Sequence, residues 1–140
     1  MIWPENINVQ DINKLGQGTA VSHLGIIITE IKDDYITGEM PVDERTRQPH
    51  GVLHGGASVL FAESLGSFAS NILLHGTNFA AVGLEVNANH VRSVREGKVF
   101  GKATLLHKGR STHLWEIKIT DAAKNLICAS RLTMAIIEKK

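Results

Sequence analysis

Apolar and polar residues alternate at period 2 through residues 82–94, 99–106, 112–120 and 126–137, the pattern of strands with one buried face. Turn residues at Arg95-Glu96-Gly97, Lys108-Gly109-Arg110 and Ala123-Lys124-Asn125 separate these runs. Nearer the N-terminus, residues 24–31 and 35–40 flank Lys32-Asp33-Asp34 as a hairpin. One long stretch has a helical period instead: Leu60, Phe61, Leu65, Phe68, Ile72 and Leu73 recur on one side of residues 57–74, and Gly76 supplies a stop. A shorter helix is expected over residues 8–15, with Asn8 as cap and Gly16 and Gly18 at its end. Short connections favour antiparallel neighbours. The pattern therefore predicts a single α+β domain over residues 1–140, a curled antiparallel sheet of about six strands around one long helix.

Ala57, Ala62, Gly66 and Ala69 keep that helix thin enough to lie close against another backbone. Ahead of it, residues 41–56 follow neither period and are rich in Pro, Gly, Arg, Gln and His, the composition of a functional loop. The loop ends on His54-Gly55-Gly56 where the helix begins. There the first N–H groups lack intrahelical partners and the macrodipole is positive, so an oxyanion or polarised carbonyl is stabilised. Glu63 stands among Phe61, Ala62, Leu65, Phe68 and Ala69, and a carboxylate on so apolar a helix is costly unless paired or functional. Ser67, one turn onward on the same side, is in reach of that carboxylate or of a water. Eight residues at ~1.5 Å rise put Gly55 and Glu63 about 12 Å apart, too far for both to touch one reacting carbonyl. A two-fold dimer resolves this: the helix start of one subunit faces the middle of the other, creating two shared sites.

Composition and charge narrow the chemistry. The 140 residues carry a net charge of +1, 43% hydrophobic and 21% charged residues, which offers no global attraction to nucleic acid or to an acidic membrane. Anion binding must be local. His90 and Arg92 continue the face of Leu84, Val86 and Ala88 past the core to the rim, and a second turn adds Lys108 and Arg110, groups suited to a nucleotide phosphate. His50 and His54 are four apart, but the intervening Gly51 and the Gly55-Gly56 pair argue against the rigid helix on which that spacing binds zinc, so no metal is expected. Cys128, the only cysteine, reads as a core residue. No nucleophile elbow, Walker loop or dinucleotide fingerprint is present. The start, Met1-Ile2-Trp3-Pro4-Glu5-Asn6, is unlike a secretory signal, and no apolar run approaches the ~18 residues of a membrane span, so a cytoplasmic location is expected.

Several segments together carry a family likeness: Met1-Ile2-Trp3, Met40-Pro41-Val42-Asp43, Arg45-Thr46-Arg47-Gln48-Pro49, Leu53-His54-Gly55-Gly56-Ala57-Ser58, Ala62-Glu63-Ser64, Asn87-Ala88-Asn89-His90 and Ser130-Arg131-Leu132-Thr133. Nearly end to end, the chain resembles the hotdog-fold acyl-CoA thioesterases, in the branch of the 1,4-dihydroxy-2-naphthoyl-CoA and enterobactin proofreading thioesterases. The resemblance implies Glu63 as nucleophile or general base, Gln48 and the Gly55 N–H polarising the thioester carbonyl, and His54 and Ser67 positioning water or the leaving thiol. It implies that Gly83, the stretch His90, Val91, Arg92 and Ser93, and the turn His107, Lys108, Gly109, Arg110, Ser111 and Thr112 hold CoA across subunits of a dimer of dimers. CoA would be part of the substrate, with no separate cofactor. His50 stands where relatives usually carry phenylalanine, and Phe68 where they carry smaller or more flexible apolar residues beside the acyl pocket. An aromatic acyl-CoA is the expected substrate, with an acyl carrier protein as a possible donor. A hotdog hydratase or dehydratase and a non-catalytic acyl-CoA binder are the competing expectations.

Overall fold

A computed structural model describes the whole chain, Met1 to Lys140. Its elements, in order, are α1 (Val9–Leu15), α2 (Ala20–His23), β1 (Ile27–Ile31), β2 (Tyr35–Val42), α3 (Gly55–Leu73), β3 (Phe79–His90), β4 (Gly97–Lys108), β5 (Thr112–Thr120) and β6 (Leu126–Glu138). The six strands form one antiparallel sheet in the order β1-β2-β4-β5-β6-β3, curled around α3. This is the hotdog fold. Both periodicities mark their elements within a few residues, and Asn8 caps α1 as expected by accepting the Asp11 N–H at 2.9 Å.

The sheet closes on the helix because two glycines make room for it. Gly38 on β2 and Gly101 on β4 are cross-strand partners. A Cβ at residue 101 would fall 2.5 Å from Leu65 Cδ1 and 2.9 Å from Phe61 Cζ, so the pair leaves a dent that Phe61 and Leu65 fill. On β5, Trp115 is fully buried and stacks on Trp3, with ring centroids 6.2 Å apart and planes 8° from parallel. The Trp3 indole N–H donates to the Lys32 carbonyl in the β1–β2 turn, which ties the N-terminal arm to the sheet.

Two expectations need correction. The short link from β3 to β4 does not make them neighbours: β3 crosses to the far edge and pairs with β6, while β4 pairs with β2 and β5. And Leu84 does not share a face with Val86 and Ala88. The β3–β6 register shifts between Gly83 and Glu85, a bulge that leaves Leu84 64% exposed while Val86 and Ala88 pack on the core. The same bulge keeps Ala81 and Gly83 on the helix side before it, and Val86, Ala88 and His90 on that side after it. No helix is long and apolar enough to cross a membrane.

Candidate active site

The loop before α3 is tightly bonded. Thr46, 1% exposed, donates its hydroxyl to the Pro41 carbonyl at 2.8 Å and accepts the Asp43 N–H at 3.1 Å. His54 N–H donates to the Thr46 carbonyl at 2.8 Å, and Leu53 N–H to the Val94 carbonyl at 2.7 Å. Arg45 donates to Asp43 at 2.7 Å, and this bond holds the Asp43 carboxyl below the usual carboxylate range. The loop thus delivers His54 as the N-cap of α3.

Four amides at a helix start have no intrahelical acceptor. In α3, the His54 N–H is taken by the Thr46 carbonyl, and His54 itself takes two more: its Nδ1 accepts the Gly56 N–H at 2.8 Å and its carbonyl the Ala57 N–H at 3.0 Å, while the same carbonyl begins the regular helical ladder by accepting Ser58 N–H at 3.2 Å. Gly55 N–H alone has no acceptor within the chain. Gly55 lines a cleft of about 310 Å³ together with Gln48, Ser58, His90, Arg92 and Ser93. His90 arches over the turn, its Nε2 lying 2.9 Å from where a Cβ of residue 55 would stand. Gln48 accepts the His50 N–H through Oε1. An amide anchored by its oxygen keeps its NH₂ donors for another acceptor, such as a carbonyl oxygen.

Glu63 opens into a different cleft, of about 450 Å³, between α3 and the α1–α2 arm. Leu60, Phe68, Ser67 and Glu63 form the α3 wall; Leu15, Thr19 and Val21 form the other. Half-buried, the Glu63 carboxylate has no hydrogen bond or ion pair within the chain. It lies against Gly83 of β3, where any Cβ would overlap it. Ser67 shares this cleft, and its hydroxyl makes no hydrogen bond to the carboxylate within the chain. Phe68 lines the apolar part of this cleft. His50 is exposed and lines neither cleft.

The two groups assigned to CoA are not brought together within one chain. His90, Val91, Arg92 and Ser93 lie at the Gly55 end: His90 pairs with Cys128, which pairs with Ile119. His107, Lys108, Gly109, Arg110, Ser111 and Thr112 form the β4–β5 turn at the other end of β5, where Gly109 N–H donates to the Thr112 carbonyl at 2.8 Å. The length of β5 separates them, roughly 25 Å at ~3.3 Å per residue. Cys128 is fully buried, and burial pushes its thiol pKa up, in keeping with a core residue.

Leu15, Thr19, Val21 and Leu60 escaped sequence reasoning as cleft residues. The four-residue helix α2 is too short to show a period, and the one available signal was Thr19, whose hydroxyl caps it by accepting the Val21 N–H at 3.2 Å.

A lone open amide at a helix start, an anchored amide side chain beside it and an unpaired carboxylate in an apolar cleft form the equipment of an acyl-group hydrolase. Residues 50–128 match the family model of the Thioesterase superfamily. The chain is 49% identical over 137 residues to the 1,4-dihydroxy-2-naphthoyl-CoA hydrolase of Escherichia coli (strain K12), covering 98% of this chain and 100% of that one. The crystal structure of a thioesterase from Haemophilus influenzae is similar at a TM-score of 0.95 and 46% identity, over 99% of this chain and 96% of that one. Two crystal structures of a Staphylococcus aureus protein, 39% identical to this chain, carry a glutamate-to-alanine and a glutamine-to-alanine change fifteen positions apart. The first covers 84% of this chain and 98% of its own, at a TM-score of 0.81. The chain belongs to the Thioesterase superfamily and is a thioester hydrolase.

Proposed function

We propose that the chain hydrolyses an aromatic acyl-CoA, 1,4-dihydroxy-2-naphthoyl-CoA or a close analogue, to the free acid and CoA, in a dimer whose two sites are each built from both subunits. Gln48 and the Gly55 N–H of one subunit polarise the thioester carbonyl. Glu63 of the other attacks it or activates a water, and the 450 Å³ cleft beside Glu63 takes the acyl group. Residues 90–93 and the turn 107–112 hold the CoA portion from different subunits.

One observation carries this reading: α3 bears an open donor at its start and an unpaired carboxylate in its middle, in separate clefts, so one chain holds two complementary half-sites. The name of the Escherichia coli relative supports the acyl choice. The interval between the altered glutamine and glutamate of the Staphylococcus aureus protein is the one that separates Gln48 from Glu63.

The carboxylate must be ionised for either role, so turnover falls as it is protonated. Glu63→Gln abolishes thioester hydrolysis with the fold kept, by circular dichroism. Gln48→Ala costs ~10²–10³ in kcat, the scale of one lost oxyanion contact. Near-normal kcat in Glu63→Gln refutes the assignment. Comparing kcat/KM for naphthoyl-, benzoyl- and fatty acyl-CoA and for an aryl-loaded carrier protein tests the substrate.

A further inference from the structure

Histidine is not among the favoured N-caps; Ser, Thr, Asp and Asn lead because their short side chains reach the second or third amide of the helix. In α3 the imidazole of His54 does that work, and it can do so because residue 56 has no side chain. A Cβ there would stand 2.9 Å from both Nδ1 and Cε1 of the ring. A backbone N–H can only donate, so Nδ1 is unprotonated while it accepts from Gly56, and a neutral His54 carries its proton on Nε2.

We propose that His54 is a positioning residue: by capping Gly56 through Nδ1 and binding the next two amides through its carbonyl, it leaves Gly55 N–H as the one donor offered to the thioester carbonyl. The proposal rests on the hydrolase reading above, in which Gly55 polarises that carbonyl. Without the cap, the Gly56 amide seeks water or a new acceptor and the first turn tilts. A donor stabilises developing negative charge in proportion to how well it is held before the reaction. The loss therefore falls on kcat and spares KM. The rival role, in which the ring itself touches the leaving thiol or the attacking water, needs an imidazole and cannot be met by another cap.

Steady-state kinetics on the full-length protein with benzoyl-CoA separate the two roles. His54→Ala is expected to lower kcat by about tenfold, the scale of one lost cap, with KM within about threefold. His54→Asn, whose amide oxygen caps the same position, recovers more than half of that loss on a logarithmic scale. His54→Asp restores thermal stability but not kcat, because it adds a negative charge beside the developing oxyanion. Ring nitrogen shifts of ¹⁵N-histidine-labelled wild-type protein show the Nε2–H tautomer for His54. An Asn variant that recovers less than this, an Ala variant with wild-type kcat, or a wild-type Nδ1–H tautomer overturns the proposal. Gln48→Ala and Glu63→Gln measured alongside keep the readings apart: if both retain turnover the hydrolase assignment fails, and if both lose it while Asn does not rescue, only the capping role fails.

Discussion

Ser70, fully buried on α3, binds two partners from β5: the Trp115 indole N–H donates to its Oγ at 2.7 Å, and His113 Nδ1 lies 2.9 Å from the same oxygen. The indole can only donate, so the serine oxygen accepts from it; whether Ser70 or His113 donates in the second bond follows the imidazole tautomer. Burial, and then the charges of Lys108 and His107, push the His113 pKa below its ordinary value of 6.5. The unfolded chain takes up this proton below about pH 6.5 while the folded chain resists it. The contribution is therefore intact above that value and is lost as pH falls from there toward the depressed folded pKa. Chemical denaturation at a series of pH values should show stability falling through this window, with a shallower fall in His113→Asn. Ser70→Ala strands a buried indole N–H and should cost about 1–3 kcal/mol in the same measurement. At Gly83, alanine would displace the Glu63 carboxylate, and kcat should drop by about 10–100-fold with little change in melting temperature, since residue 83 is exposed at a sheet edge. Glu63 and Gly55 were legible because an acid on an apolar helix and glycines at a helix start each violate a local rule. Ser70 and His113 violate none; their pairing depends on which strand passes beneath the helix.

Among the elements, α3 and the six strands were legible because each buries one face and so writes its period into the chain. The order of the strands was not, because chain proximity and sheet proximity part company at β3, which follows α3 to the far edge. The bulge after Gly83 also hid itself: alternation continues through residues 82–94 in the sequence, and one inserted residue changes which of them face the helix. In the arm that borders the cleft most directly, α1 was legible through its Asn8 cap and Gly16 stop, whereas the single turn of α2 was not. Asn13 fastens the arm to β1, donating to the Ile28 carbonyl at 2.9 Å and accepting the Ile28 N–H at 2.8 Å. On the proposed use of the cleft, Val21→Phe narrows the wall facing Leu60 and Phe68. Its kcat/KM should fall by about tenfold or more for naphthoyl-CoA and less for a short acyl-CoA, a change of preference measured across the acyl panel.

For the molecule as a whole, the separation of donor and acid was legible from the rise of a helix alone, but the surface that could join two copies was not. β3 is an open sheet edge bearing Phe79, Val82 and Leu84 at 43, 46 and 64% exposure, an arrangement that invites pairing with a second chain. If the proposed dimer forms along this edge, Leu84→Lys should shift sedimentation toward monomer and make specific activity rise with enzyme concentration. The division of equipment between two clefts also makes a disabled enzyme repairable by another disabled enzyme. Gln48→Ala chains and Glu63→Gln chains, each reduced alone to about a hundredth of wild-type turnover or less, would on co-refolding form hybrids with one doubly damaged centre and one wholly healthy. Random pairing would then revive about a quarter of the wild-type turnover, a recovery open only to machinery owned jointly by two molecules.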